Sequence, residues 1–74
     1  MDVEWKDGFE IKVKIENGAT IISANREGLL SLAAQLSALA NAENGDHIHY
    51  DEYNSLENGS TELIIERIGE KARN

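Results

Sequence analysis

The sequence predicts an α+β domain in the order strand, strand, helix, strand, strand, with one four-stranded antiparallel sheet and a single helix on one of its faces. Three observations carry this. Gly28 to Ala42, GLLSLAAQLSALANA, is fifteen residues without a charge in a chain whose charged fraction is 28%, with leucine and alanine recurring at helical spacing. Phe9 to Glu16, FEIKVKIE, alternates apolar and charged residues and runs into Asn17-Gly18, the dipeptide best suited to a two-residue hairpin turn. Two short runs, HIHYD and TELIIERI, flank a second Asn-Gly at Asn58-Gly59 and read as a second strand pair.

Residues 1–7 are expected to form a loose lead-in or a strand extension carrying Val3 and Trp5, and Trp5 is expected to cap one end of the core rather than sit in an interface. In the first strand, from Phe9 to Glu16, Phe9, Ile11, Val13 and Ile15 point one way and Glu10, Lys12, Lys14 and Glu16 the other, giving one wet face. Ala19 to Ala24 is the return strand. Its adjacent Ile21 and Ile22 must face opposite sides, and Ile22 is placed on the side away from the helix.

The helix is expected from Arg26 to Ala42, with the Asn25 side chain as its cap. At 1.5 Å per residue it is about 25 Å long, enough to cover a seven-residue strand. Leu29, Leu32, Ala33, Leu36, Leu39 and Ala40 form the stripe expected to face the core. Ser31, Ala34, Gln35, Ala38 and Ala42 then form an outer face of small or neutral residues, open to close approach of another surface. Asn44-Gly45 ends the helix. His47 to Asp51 is the third strand, with Ile48 and Tyr50 inward and His47, His49 and Asp51 outward. Leu56 tucks down the following loop. In the fourth strand, Thr61 to Ile68, Leu63 and Ile65 share a face and Ile64 takes the other. Residues 69–74 are polar and expected to fray.

With 74 residues the chain is one small domain, residues 1–74, of modest expected stability. The absence of cysteine removes disulfides and thiolate metal sites and suits a reducing compartment. MDVEWKDG has no signal-peptide pattern, and the helix is too short and polar to span a bilayer; a cytoplasmic location follows as the expectation. Fourteen acidic residues oppose seven basic ones. From Glu27 through Glu66 there are eight Asp or Glu and no Lys or Arg. Such a surface repels phosphate backbones, so nucleic acid is not an expected partner, whereas encounter with a basic protein is accelerated.

His47, His49 and Asp51 are the one grouping with chemical potential: at period two they share a side and could converge on a metal. His-x-His-x-Asp opens a known metallo-hydrolase motif, but its second Asp-His pair is missing, and a catalytic site needs more ligands and support than two histidines provide. No metal or cofactor is therefore assigned, and these three remain the residues a weak metal site would use. There is no Gly-x-Ser-x-Gly, no phosphate loop and no same-face carboxylate pair, since Asp51 and Glu52 are adjacent on a strand. The chain is not expected to be an enzyme.

NREGLLSLAAQLSALA followed by GDHIHYDEYNSLENGSTELIIERI resembles a family of small bacterial immunity proteins from polymorphic toxin systems, immunity protein thirty-two. The matching features are Gly28-Leu29-Leu30 at the helix start, His47-x-His49-x-Asp51, the Leu56 turn and the Ser60 to Glu66 strand. The resemblance implies binding without catalysis: neutralisation, by occlusion, of a toxin made by the same cell. On that reading His47, His49, Asp51 and Tyr53 make contact with the toxin, and Glu52 and Glu57 add steering charge. The alternatives are a homo-oligomeric structural or adaptor module, self-associating through Ala34, Ala38 and Ile64, and a weak metal-binding domain.

Overall fold

The computed structural model describes residues 4–69. The elements come in the expected order: β1 (Ile11–Glu16), β2 (Ala19–Ala24), α1 (Arg26–Ala40), β3 (His47–Tyr50) and β4 (Leu63–Glu66). Residues 1–3, including Val3, and residues 70–74 of the expected frayed tail lie outside the described residues.

β1 and β2 pair antiparallel, with Ile11 opposite Ala24 and Glu16 opposite Ala19. The turn between them has φ of 51° at Asn17 and 81° at Gly18. Two successive positive φ values match the right-handed strand twist, and Asn-Gly tolerates them at least cost. Asn25 then ends β2 and starts α1. It is extended (φ −80°, ψ −178°), and its side-chain oxygen accepts from Gly28 N at 2.8 Å. That oxygen also accepts from Glu10 N at 2.9 Å, and Asn25 Nδ2 donates to Gly8 O. One side chain thereby caps the helix and fixes it to the start of β1.

The helix lies on a different face from the one expected. Its buried residues are Gly28, Ser31, Leu32, Gln35 and Leu39, while Leu29, Ala33, Leu36 and Ala40 are exposed. At 100° per residue this is a rotation of about 90° from the predicted stripe. The cause is the lead-in. Lys6 N donates to Ser31 Oγ at 2.9 Å, Ser31 Oγ donates to Glu27 O, and Gln35 Nε2 donates to Glu4 O at 2.7 Å. Gln35 Oε1 accepts from the buried Tyr50 hydroxyl at 2.8 Å. With every polar atom partnered, Ser31 and Gln35 can be buried at little cost, and the expected outer face supplies part of the core. Ala34 and Ala38 remain exposed.

The single four-stranded sheet is also corrected. β3 and β4 pair antiparallel, His47 opposite Glu66 and Tyr50 opposite Leu63, but form a separate two-stranded sheet. The free edge of β1 is occupied by the loop between β3 and β4. Glu57 N donates to Ile11 O at 2.9 Å, Thr61 N to Val13 O at 2.7 Å, and Val13 N to Ser60 Oγ at 3.1 Å. Once loop backbone satisfies that edge, no strand of the second hairpin can pair there. The placement of Ile22 changes as well. It stands opposite Val13 and therefore shares the face of Ile11 and Val13; Ile21, opposite Lys14, takes the other.

Ile11 and Val13, Leu32 and Leu39, Ile48 and Tyr50, and Leu56 form the core, drawing on both sheets, the helix and the long loop. Leu56 seals the loop as expected. Trp5 closes one end, stacked on Phe9 with ring centroids 4.3 Å apart and edge-on to Tyr50 at 6.0 Å, a geometry favoured by ring quadrupoles. The strands are shorter than expected. β1 begins at Ile11 rather than Phe9, and β4 spans Leu63–Glu66 rather than Thr61–Ile68. α1 stops at Ala40, two residues early, where Asn41 N bonds back to Ala38 and Leu39 oxygens. Arg67 Nε donates to Ala40 O at 3.4 Å, putting a cation at the helix end that has no basic residue in its last turn.

Candidate functional site

β3 alternates strictly, with Ile48 and Tyr50 buried and His47 and His49 exposed. This puts the two imidazoles on the outer face, their ring centroids 4.9 Å apart and nearly edge to face. His47 Nδ1 lies 3.2 Å from Gly45 O, within hydrogen-bonding distance of a carbonyl oxygen that can only accept. His49 Nδ1 lies 3.4 Å from Glu62 Oε2. Across the ladder, His47 stands opposite Glu66 and His49 opposite Ile64. The face thus combines two imidazoles, two carboxylates and Ile64, which is 52% exposed.

Asp51 does not continue this row. β3 ends at Tyr50, and Asp51 organises the loop that follows. Its Oδ1 accepts from Tyr53 N at 2.9 Å and Asn54 N at 3.0 Å, and its backbone oxygen accepts from Ser55 N and Leu56 N. Asn54 closes the unit, accepting from Asp51 N through Oδ1 and donating from Nδ2 to His49 O at 3.0 Å. This self-bonded turn presents Tyr53 at its tip, 95% exposed. The Glu52 carboxylate turns back to accept from Gly59 N, bracing the loop. Glu57 leaves its side chain exposed while its N–H holds β1.

The structure therefore puts His47 and His49 side by side on the outer face of β3, with Tyr53 exposed in the loop that follows. It gives Asp51 and Glu52 framework roles. Glu62 and Glu66 are additional members of the face, and the alternation of TELIIE already puts Glu62, Ile64 and Glu66 on one side. Among the described residues, no group of three or more His, Asp or Glu could hold a metal ion, and the Asp51 carboxylate is aimed into its own turn. Ala34 and Ala38, the small residues proposed for self-association, border a cavity of about 50 Å³ with Glu4 and Gln35. A larger open cleft of about 380 Å³ runs along Glu4 to Asp7, Ser31 and Ala34. The Ser31 hydroxyl on its wall accepts from Lys6 N and donates to Glu27 O. No helix among the described residues is long and apolar enough to cross a membrane.

No curated protein and no solved structure matches the chain. A family model does match, Immunity protein 32, over residues 19–68. That span runs from β2 through α1 to just beyond β4 and so contains the histidine face, the Asp51 turn and the bracing loop. Since it covers well over half of the sequence, the chain belongs to the Immunity protein 32 family.

Proposed function

We propose that this protein binds a cognate bacterial toxin one to one and neutralises it by occlusion, without catalysis. The observation that carries the reading is the family match across residues 19–68; an exposed face supports a contact there. The outer face of β3 and β4 and the adjoining Tyr53 tip combine a large exposed aromatic, an exposed Ile64 and two imidazole–carboxylate neighbours. Aromatic anchors beside hydrogen-bonding groups are the composition of a protein interface centre. Both are held by fixed backbone, Tyr53 through the Asp51 turn and the histidines through the ladder, so little backbone ordering entropy is lost on binding. The formal charge of −7 favours a basic toxin through faster encounter.

The test is co-expression of the neighbouring toxin with wild type and with a His47→Ala, His49→Ala, Tyr53→Ala variant, alongside a binding measurement. Wild type should restore growth and bind with a 1:1 stoichiometry. The variant, whose changes are all exposed, should keep its circular dichroism spectrum and lose at least tenfold in affinity. A toxin that remains lethal with excess wild type removes the function. Full protection by the variant moves the contact to another surface.

A further inference from the structure

The helix has a second apolar face, distinct from the one that packs on the core. Leu29 and Leu36 are 55% and 44% exposed, and Ala33 and Ala40 are exposed between and beyond them. With Arg26 they fall at intervals of three, four, three and four residues, the spacing that keeps a seam along one side of a helix. We propose that this seam, Arg26–Leu29–Ala33–Leu36–Ala40, pairs with the same seam of a second copy, the two helices antiparallel about a two-fold axis at Ala33. The proposal does not depend on the toxin reading.

Two features select a second copy as the occupant. The seam is close to a palindrome about Ala33: an antiparallel partner sets Leu29 against Leu36, Ala33 against Ala33 and Arg26 against Ala40. A two-fold interface requires such self-complementarity, and the small central residue lets the helix axes approach closely. Charge is the second. In a chain of formal charge −7, the seam carries no carboxylate, so two copies can meet there without opposing acids. A basic partner would find nothing on it to pair with. Ala34 and Ala38 are worse placed for self-pairing, because the Glu4 segment already borders their side.

Five seam positions are few beside the roughly 20–30 residues per side of a standard interface, so the dimer belongs in the weak class, with a dissociation constant of tens to hundreds of micromolar. Sedimentation velocity of wild type from about 5 to about 500 micromolar should show the dimer fraction rising through that range. Association should strengthen at least threefold between about 0.05 and 0.5 M salt, as the repulsion between two acidic chains is screened. Leu36→Glu should be monomeric throughout with an unchanged helical spectrum. The chain has no cysteine, so Ala33→Cys supplies a unique thiol. It should form a disulfide-linked dimer on mild oxidation, whereas Thr20→Cys, exposed on the hairpin, should not. A wild type that stays monomeric at the highest concentration overturns the proposal. So does a dimer that persists in Leu36→Glu, or a monomer in which Leu36→Glu abolishes toxin binding, which would give the seam to the toxin.

Discussion

A buried side-chain hydrogen bond from Tyr50 to Gln35 joins the helix to β3. The Tyr50 side chain is fully buried, and burial raises its hydroxyl pKa above the usual value of 10.0, because the phenolate would be stripped of water. Tyr50→Phe leaves Gln35 Oε1 without its donor and should cost about 1–3 kcal/mol, read from urea unfolding. The sign of the pH effect follows from the raised folded pKa. Stability from the neutral phenol is fully present below pH 10.0 and declines as pH rises above it, since the unfolded chain gives up this proton first. The difference between wild type and Tyr50→Phe should therefore shrink above that pH; a constant difference would mean the hydroxyl ionises equally in both states. Gly28 is a second decisive position. A Cβ there would stand 2.6 Å from the Glu10 backbone oxygen just before β1, which Asn25 N holds, and 2.9 Å from Cγ1 of the buried Ile11 side chain. Gly28→Ala gains about 1 kcal/mol of helix propensity but incurs overpacking of about 1–3 kcal/mol. Chemical denaturation should show net loss.

At the scale of elements, the Asp51 turn separates two roles that one carboxylate could have. Asp51 Oδ1 accepts two backbone N–H groups, and an asparagine oxygen can do the same. If Asp51 acts by shaping the loop, Asp51→Asn should keep toxin affinity within about twofold while Asp51→Ala weakens it by tenfold or more, the turn contributing about 1 kcal/mol or more of pre-organisation. Equal loss in both variants, measured by titration calorimetry, would instead make the charge itself a contact. The period-two patterns make His47, His49 and Ile64 legible as one face before any coordinates, because alternation is a property of the strand alone. Asp51 is not legible in that way: where a strand stops depends on side-chain bonds to the next few amides. The helix illustrates a different limit. Its start and its Asn25 cap follow from local chemistry, but its rotation does not, since the leucines are spread over two faces. Which one is buried was decided by Ser31 and Gln35 meeting the backbone of residues 4 and 6, a contact between segments some thirty positions apart that leaves no periodic trace. The division into two sheets has the same origin, in loop amides bonding the β1 edge.

For the molecule as a whole, charge and shape divide the labour of recognition in the proposed complex. The eight carboxylates from Glu27 through Glu66, uninterrupted by Lys or Arg, create a field that extends about 10 Å at 0.1 M salt. The Tyr53 tip and the His47–His49 face act only in contact. Steering acts on encounter and contact acts on residence, so the two should separate in stopped-flow kinetics with the cognate toxin. Raising salt from about 0.05 to 0.5 M should slow association at least tenfold and leave dissociation within about twofold. Glu57→Gln, an exposed change that keeps the Glu57 N–H on Ile11, should reduce the association rate modestly and flatten its salt slope. Tyr53→Ala should do the reverse, speeding dissociation without altering the slope. An association rate indifferent to salt would assign the acidic surface to solubility and leave recognition to the face of β3 and β4 alone.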